Sequence, residues 1–293
     1  MGQKRVNHRN WRRVAIAITV AALVLAAFQA GVVVGSASVQ APLSGVTPTP
    51  SATGASVPAP TQAHDEHIAP KETPAATPME PPGCRYGHVT SIQAPDTEWA
   101  AIVLDTEIRL DRGYVPPDLV DTSVAGLNGG HLVRAIMIRE LRALARAARK
   151  AGAALAIQSS YRSFDTQRTT FNHWVAAVGR PEALLRSARP GHSEHQLGIA
   201  IDFRSADRSV APWEDRDWAQ TDAGAWLAAH AWRYGFVMSY PRGATSVSCY
   251  AYERWHYRYF GRDVAARIRA SRLPARHWLL ETLTTAEAST GWR

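Results

Sequence analysis

The sequence predicts an α+β domain: a small antiparallel sheet with helices packed around it and a metal site in a cleft on the sheet. Three observations carry this. From about Cys84 to Pro274, stretches with helical apolar spacing alternate with apolar runs too short to be helices. The segment Arg189–Phe203 joins a helix-breaking Arg189-Pro190-Gly191 to an alternating Gly198-Ile-Ala-Ile-Asp202-Phe203, and carries Ser193, His195 and Asp202. Far downstream, Tyr252-Glu-Arg-Trp-His256 adds an E-x-x-H.

In chain order, residues 1–13 form a basic flank with five cations, Lys4, Arg5, Arg9, Arg12 and Arg13. The apolar run Val14–Val34 follows, broken only by Thr19, Gln29 and Gly31. About 20 residues cross the hydrocarbon core, and a basic flank stays in the cytoplasm. The expectation is a transmembrane signal anchor over 14–34, with the rest exported. A signal peptide cleaved near Gly35-Ser-Ala37-Ser is the competing reading. Residues 35–83 hold ten of the eighteen prolines among Ala, Thr and Ser, too little apolar bulk to offset ordering entropy. They read as a disordered spacer, and His64-Asp-Glu-His67 within it as solvated linker.

The folded domain is expected over 84–274, with 275–293 as a tail that carries no readable signal. Leu132, Val133, Ile136, Leu141, Leu144, Ala145 and Ala148 recur at near-helical spacing, and Gly152 closes that helix. Ala153–Gln158 reads as a buried strand that delivers Tyr161 and Arg162 to its end. Asp165 is expected to cap a helix through Val178, ended by Gly179. A further helix over Ala225–Tyr234 stops at Gly235. Phe236–Ser239 and Trp255–Tyr259 read as strands, and Asp263–Ala270 as a last amphipathic helix. The two cysteines, Cys84 and Cys249, favour a disulfide in an exported chain.

A His, an Asp and a second His, with a Glu three residues before the second His, are the parts of a catalytic zinc site. His195, Asp202 and His256 are the expected ligands, leaving one position open, and Glu253 is the expected general base outside the ligand set. Arg162 is the cation expected beside a developing oxyanion. Ser193 and Gln167 are candidates to hold the substrate's carboxylate or backbone. Trp255 is expected to pack beneath the site, and His192 to stand outside the chemistry.

Several pieces together resemble a known family. They are Ser160-Tyr-Arg-Ser163 with Gln167, Pro190-Gly-His-Ser-Glu-His-Gln-Leu-Gly198 through Asp202, Tyr234-Gly-Phe-Val237 with Tyr240-Pro241, Tyr252-Glu-x-Trp-His-Tyr257, and Tyr114–Leu119 upstream. Over roughly Trp99 to Arg262 the sequence resembles the VanY-type zinc D-alanyl-D-alanine carboxypeptidases, related to zinc L-alanyl-D-glutamate endopeptidases. Arg254 departs from the pattern, which usually has Pro there; that bears on loop rigidity more than on chemistry. The resemblance implies a hedgehog/DD-peptidase-like fold, one zinc ion, and peptidoglycan stem peptides as substrate with cleavage of the terminal D-Ala-D-Ala bond. An L,D-carboxypeptidase or an endopeptidase on the same stem is the near alternative. A zinc-containing wall-binding module without catalysis is the distant one, and intact Glu253 and Arg162 argue against it. A scaffold working through the proline-rich segment would leave the metal residues unexplained.

The net charge of +8 and pI near 9.9 invite a nucleic-acid reading. Five cations lie in the flank, most of the others are scattered arginines, and no nucleic-acid motif occurs. The expected partners are therefore stem peptides and a membrane, with the domain acting as a monomer.

Overall fold

The computed structural model describes residues 83–86, 90–92 and 99–290. The expected flank, the apolar span 14–34, His64–His67 and almost all of the spacer lie outside the described residues. Among the described residues no helix is long and apolar enough to cross a membrane.

The organising sheet has four antiparallel strands: β5 (Leu155–Ser159), β6 (Ala200–Ser205), β7 (Phe236–Met238) and β8 (His256–Tyr259), in the order β5-β6-β8-β7. Strand side chains alternate between faces. Ile201, Phe203 and Tyr257 therefore share one face, and Asp202 and His256 the other. The first face is closed by α1 (Ile138–Lys150) and α4 (Asp222–His230). Leu141, Leu144 and Leu227 join Ile157, Ile201, Phe203 and Phe236 there in one buried cluster. Two small ladders precede this sheet: β1 (Thr90–Ile92) runs parallel to β2 (Ile108–Leu110), and β3 (Leu119–Asp121) antiparallel to β4 (Leu132–Arg134). On the site side lie α2 (Phe164–Val178) and α3 (Arg180–Arg186). The chain ends with α5 (Thr245–Ser248), α6 (Arg262–Ser271) and α7 (Ala275–Thr290).

The α+β class and the antiparallel sheet are as expected. Some elements differ. The helix expected from Leu132 starts at Ile138, because Leu132–Arg134 pair with β3 and Arg134 is held by Asp118 at 2.6 Å. The cap of α2 is Ser163, whose hydroxyl accepts the Thr166 N–H at 3.2 Å. Asp165 sits instead in the first turn, where its charge suits the helix dipole. The stretch after Pro274, read as a tail, forms α7. Ala275 and Leu279 are buried with Val103, Phe260 and Ile268, and Arg276 reaches buried Asp105 at 2.7 Å. Cys84 and Cys249 form a disulfide across a sequence separation of 165.

Candidate metal centre and active site

Ser159, Asp202 and His256 are register partners on three adjacent strands, so the sheet itself aligns them. His195 arrives on one 3-10 turn, Glu194–Leu197, capped by Ser193, whose hydroxyl accepts the His195 N–H at 3.3 Å. Gly191 and Gly198 bracket the turn at φ +86 and +70. A Cβ would lie 2.8 Å from the Leu110 carbonyl at the first and 3.0 Å from Leu119 Cδ2 at the second, so the turn packs more closely than a larger residue allows.

The nitrogen assignments follow from the hydrogen bonds. His195 Nδ1–H donates to the Ser160 carbonyl at 2.7 Å. Its Nε2 is left with a lone pair, buried and without a hydrogen-bond partner, 3.2 Å from Asp202 Oδ2. His256 is fixed from the opposite side, with Nε2 2.9 Å from Glu194 Oε2. Its Nδ1 then faces Asp202 Oδ1 at 3.1 Å and Glu253 Oε2 at 3.7 Å. Ligand atoms of His195, Asp202 and His256 lie within 4.8 Å of one another, and all three residues are buried. Two nitrogens and a carboxylate oxygen around an orphaned lone pair suit a zinc-like cation. Each imidazole's other nitrogen is tied to an oxygen acceptor, the arrangement that fixes a metal-binding tautomer.

Charge is arranged to match. Burial and the nearby Arg162 push His195 down to about 4, which keeps it neutral. Burial would raise Asp202, but His195 and His256 hold it well below the usual carboxylate range. Burial works the same way on Glu194, and Arg258, His256 and Ser239 outweigh it, bringing the carboxyl down to about 2. Burial would lower His256, yet its bonds to Asp202 and Glu194 raise it to about 10, so this point of the fold strongly favours positive charge. Burial pushes the Glu253 carboxyl up to about 8. There it can accept and return a proton near neutral pH.

His195, Asp202, Glu253 and His256 line a cavity of about 410 Å³ together with Arg162, Trp174, Trp213 and Trp255. Arg162 stands at its edge, with Nη1 2.7 Å from Ser159 Oγ and 3.4 Å from Asp202 Oδ2. Gln167, expected at the substrate, is fully buried. Its Oε1 accepts from Arg162 Nε at 2.9 Å and its Nε2 donates to the Ala188 carbonyl at 2.7 Å, so it holds Arg162 rather than facing the cavity. Ser193 does line the cavity. Trp255, expected to pack beneath the site, is part of the cavity wall, edge-on to Trp213 at 6.1 Å. His192 turns away and bonds the Asp105 carbonyl at 2.7 Å.

Comparison with known proteins adds to this geometry. Residues 130–262 match the family model "VanY: D-alanyl-D-alanine carboxypeptidase". The chain is 34% identical over 179 residues to the putative carboxypeptidase YodJ of Bacillus subtilis strain 168, covering 60% of this chain and 64% of that protein. It is 29% identical over 185 residues to a D-alanyl-D-alanine carboxypeptidase of Enterococcus faecalis V583, with the same coverage of 60% and 64%. Among solved structures, a VanY D,D-pentapeptidase from a VanB-type resistance cassette, in complex with Zn(II), superposes with a TM-score of 0.53. It is 28% identical over 62% of this chain and 99% of its own. Residues 130–262 of the chain thus match the VanY family.

The LdcB LD-carboxypeptidase also superposes, with a TM-score of 0.59 at 28% identity, covering 69% of this chain and 94% of that one. The chain spans 64% of the length of the two curated relatives. The VanY-matched segment contains His195, Asp202, His256, Glu253, Arg162, Gln167 and Ser193. Cys84 lies outside it. Glu194 is the functional residue that sequence reasoning passes over. It touches His256, Arg258 and Ser239 at once. Its signal was Arg258, a cation two residues beyond His256 in an otherwise aromatic strand, which needs a buried anion.

Proposed function

We propose that the protein is a zinc D,D-carboxypeptidase that removes the terminal D-Ala of peptidoglycan stem peptides, held at the outer face of a membrane by residues 14–34. The observation that carries the reading is the convergence of His195 Nε2, Asp202 and His256 Nδ1, with the Glu253 carboxylate 3.7 Å from His256 Nδ1. His195, Asp202 and His256 would hold the ion, which when bound supplies Lewis acidity towards the substrate carbonyl and the attacking water. Glu253 takes the water's proton as the C–O bond forms, then gives it to the amine as the C–N bond breaks. Arg162, locked by Gln167 and Ser159, presents positive charge beside the oxygen that becomes anionic. Ser193, on the cavity lining, would bind the substrate's end.

Replacing His195 by Ala should cost both zinc and activity. Glu253→Ala should keep zinc and the fold while hydrolysis falls by about 10² or more. Zinc content by elemental analysis and turnover of a stem pentapeptide test both. Parental turnover by Glu253→Ala would reject the mechanism. The likeness to an LD-carboxypeptidase supports a second reading, cleavage of a tetrapeptide stem. Mass spectrometry of the products from tetrapeptide and pentapeptide stems separates the two.

The anchor rests on the basic flank and the length of the apolar run. External protease on intact cells should remove the domain and spare the short basic end. A mature N-terminus near Ser38 would show a cleaved signal instead.

A further inference from the structure

A second cleft, of about 430 Å³, opens at the edge strand β7, between the end of α4 and the junction of α6 with α7. Its floor is apolar, with Phe236, Ile268 and Leu273 on it. Its charged lining is all of one sign: Arg242, Arg269 and Arg272, from two separate segments of the chain, and no Asp or Glu. Among the described residues none of these three arginines has a carboxylate partner; Arg242 lies over the Tyr252 ring at 4.7 Å. A cleft with low-dielectric walls and charges of one sign concentrates their field on whatever enters it.

Two further features point to a ligand. Tyr257 is part of the lining and 2% exposed, and its hydroxyl is buried without a hydrogen-bond partner. An unmet buried hydroxyl is costly, and a ligand oxygen would satisfy it. Arg272 ends α6 with φ +61, a backbone conformation that favours glycine at the end of a helix. Only one other non-glycine residue among the described ones has positive φ, Cys249, which likewise ends a helix. Arg272 is exposed at this helix end and brings its guanidinium to the cleft lining.

We infer that this cleft binds an organic phosphate with an apolar body. Several guanidinium groups along one lining match a group with several anionic oxygens. The apolar floor matches an alkyl or aryl part.

Hexyl phosphate, inorganic phosphate and hexanol titrated calorimetrically into the zinc-loaded full chain test the inference. Hexyl phosphate should bind at least roughly tenfold more tightly than either of the others. Arg269→Gln combined with Arg272→Gly should weaken it by about tenfold or more. Both positions are exposed, and glycine suits the left-handed backbone at 272, so the fold, zinc content and peptide turnover should hold. Tyr257→Phe should also weaken binding. Equal affinity for inorganic phosphate would mean surface charge alone, and undiminished binding by the double variant would place the phosphate at the metal centre. Either result overturns the inference. Displacement of hexyl phosphate by phosphatidylglycerol vesicles would assign the natural ligand to a lipid headgroup. Binding without displacement would assign it to a soluble phosphate ester.

Discussion

Glu194 joins three parts of the fold through one carboxylate. Oε2 faces His256 Nε2 at 2.9 Å and accepts from Ser239 at 2.6 Å, while Oε1 accepts from Arg258 at 3.0 Å. Removing its charge has two separable effects. Loss of the imidazole's orienting partner should weaken zinc binding by about 10–100-fold in Glu194→Gln. Leaving Arg258 buried and unpaired should cost roughly 3–5 kcal/mol of stability. The check is zinc affinity by chelator competition beside denaturation of the metal-free protein. Adding Arg258→Met should recover stability without recovering zinc affinity. If both return together, Glu194 is a stability residue and its bond to His256 is incidental. The residues at the metal were legible because zinc hydrolysis restricts residue types at short, fixed spacings: His195 to Asp202, and Glu253 to His256. Glu194 was not, since a carboxylate next to a ligand has many uses and its partners come from β8 and the loop after β7. Gln167 was misplaced for the same reason: a turn of α2 can aim an amide at a substrate or at a neighbouring arginine, and only the packing decides.

At the scale of elements, the short stretch 252–256 reaches out to the loop between β6 and α4. Arg254 donates to the carbonyls of Asp215 at 2.5 Å and Pro212 at 3.3 Å, and its guanidinium lies 5.2 Å from the Trp255 ring centroid. Asp215 is in turn paired with Arg208 at 2.7 Å. The loop so fastened carries Trp213 to the cavity wall. Where the family pattern has a proline that stiffens its own backbone, this chain stiffens the stretch by bonding it to a neighbour. Arg254→Ala should therefore loosen the Trp213 wall and leave Glu253 in place, because the Glu253 N–H still donates to the Tyr240 carbonyl at 3.0 Å. We expect KM for a stem peptide to rise about three- to tenfold with kcat within about twofold, the pattern of lost uniform binding. A fall in kcat alone would place Arg254 in the chemistry. α2 and α4 could be read from sequence because glycines, Gly179 and Gly235, follow their helical stretches, and β5 because Ala153–Ile157 is a short apolar run. The β3–β4 ladder could not: three residues in each strand are too few for a period, and Leu132 and Val133 fit a helix equally well until β3 pairs with them.

For the whole molecule, the question is where the domain ends. The sequence places its end at Pro274, because the stretch beyond ends in small polar residues and carries no readable signal. The apolar positions of α7 have no visible partner in sequence; their partners are Val103, Phe260 and Ile268, brought together only by the fold. Arg276 adds an ion pair to Asp105 at 2.7 Å, with side chains 8% and 3% exposed, and donates to the Val247 carbonyl at 2.9 Å. Val247 lies two residues before Cys249, whose disulfide holds Cys84, so α7 closes the same edge that the disulfide pins. Removing residues 275–293 would expose that apolar cluster and leave Asp105 buried without its cation. A loss of about 3–5 kcal/mol is expected from the broken pair alone, with more from Leu279. Arg276→Met keeps the helix and most of its packing, so it should show the electrostatic share by itself. The measurement is denaturant unfolding of zinc-loaded full chain, truncated chain and Arg276→Met. Equal midpoints for the full and truncated chains would restore the boundary at Pro274. A truncated chain that unfolds earlier and still binds zinc when folded would show that α7 stabilises the domain without being needed to build the metal site.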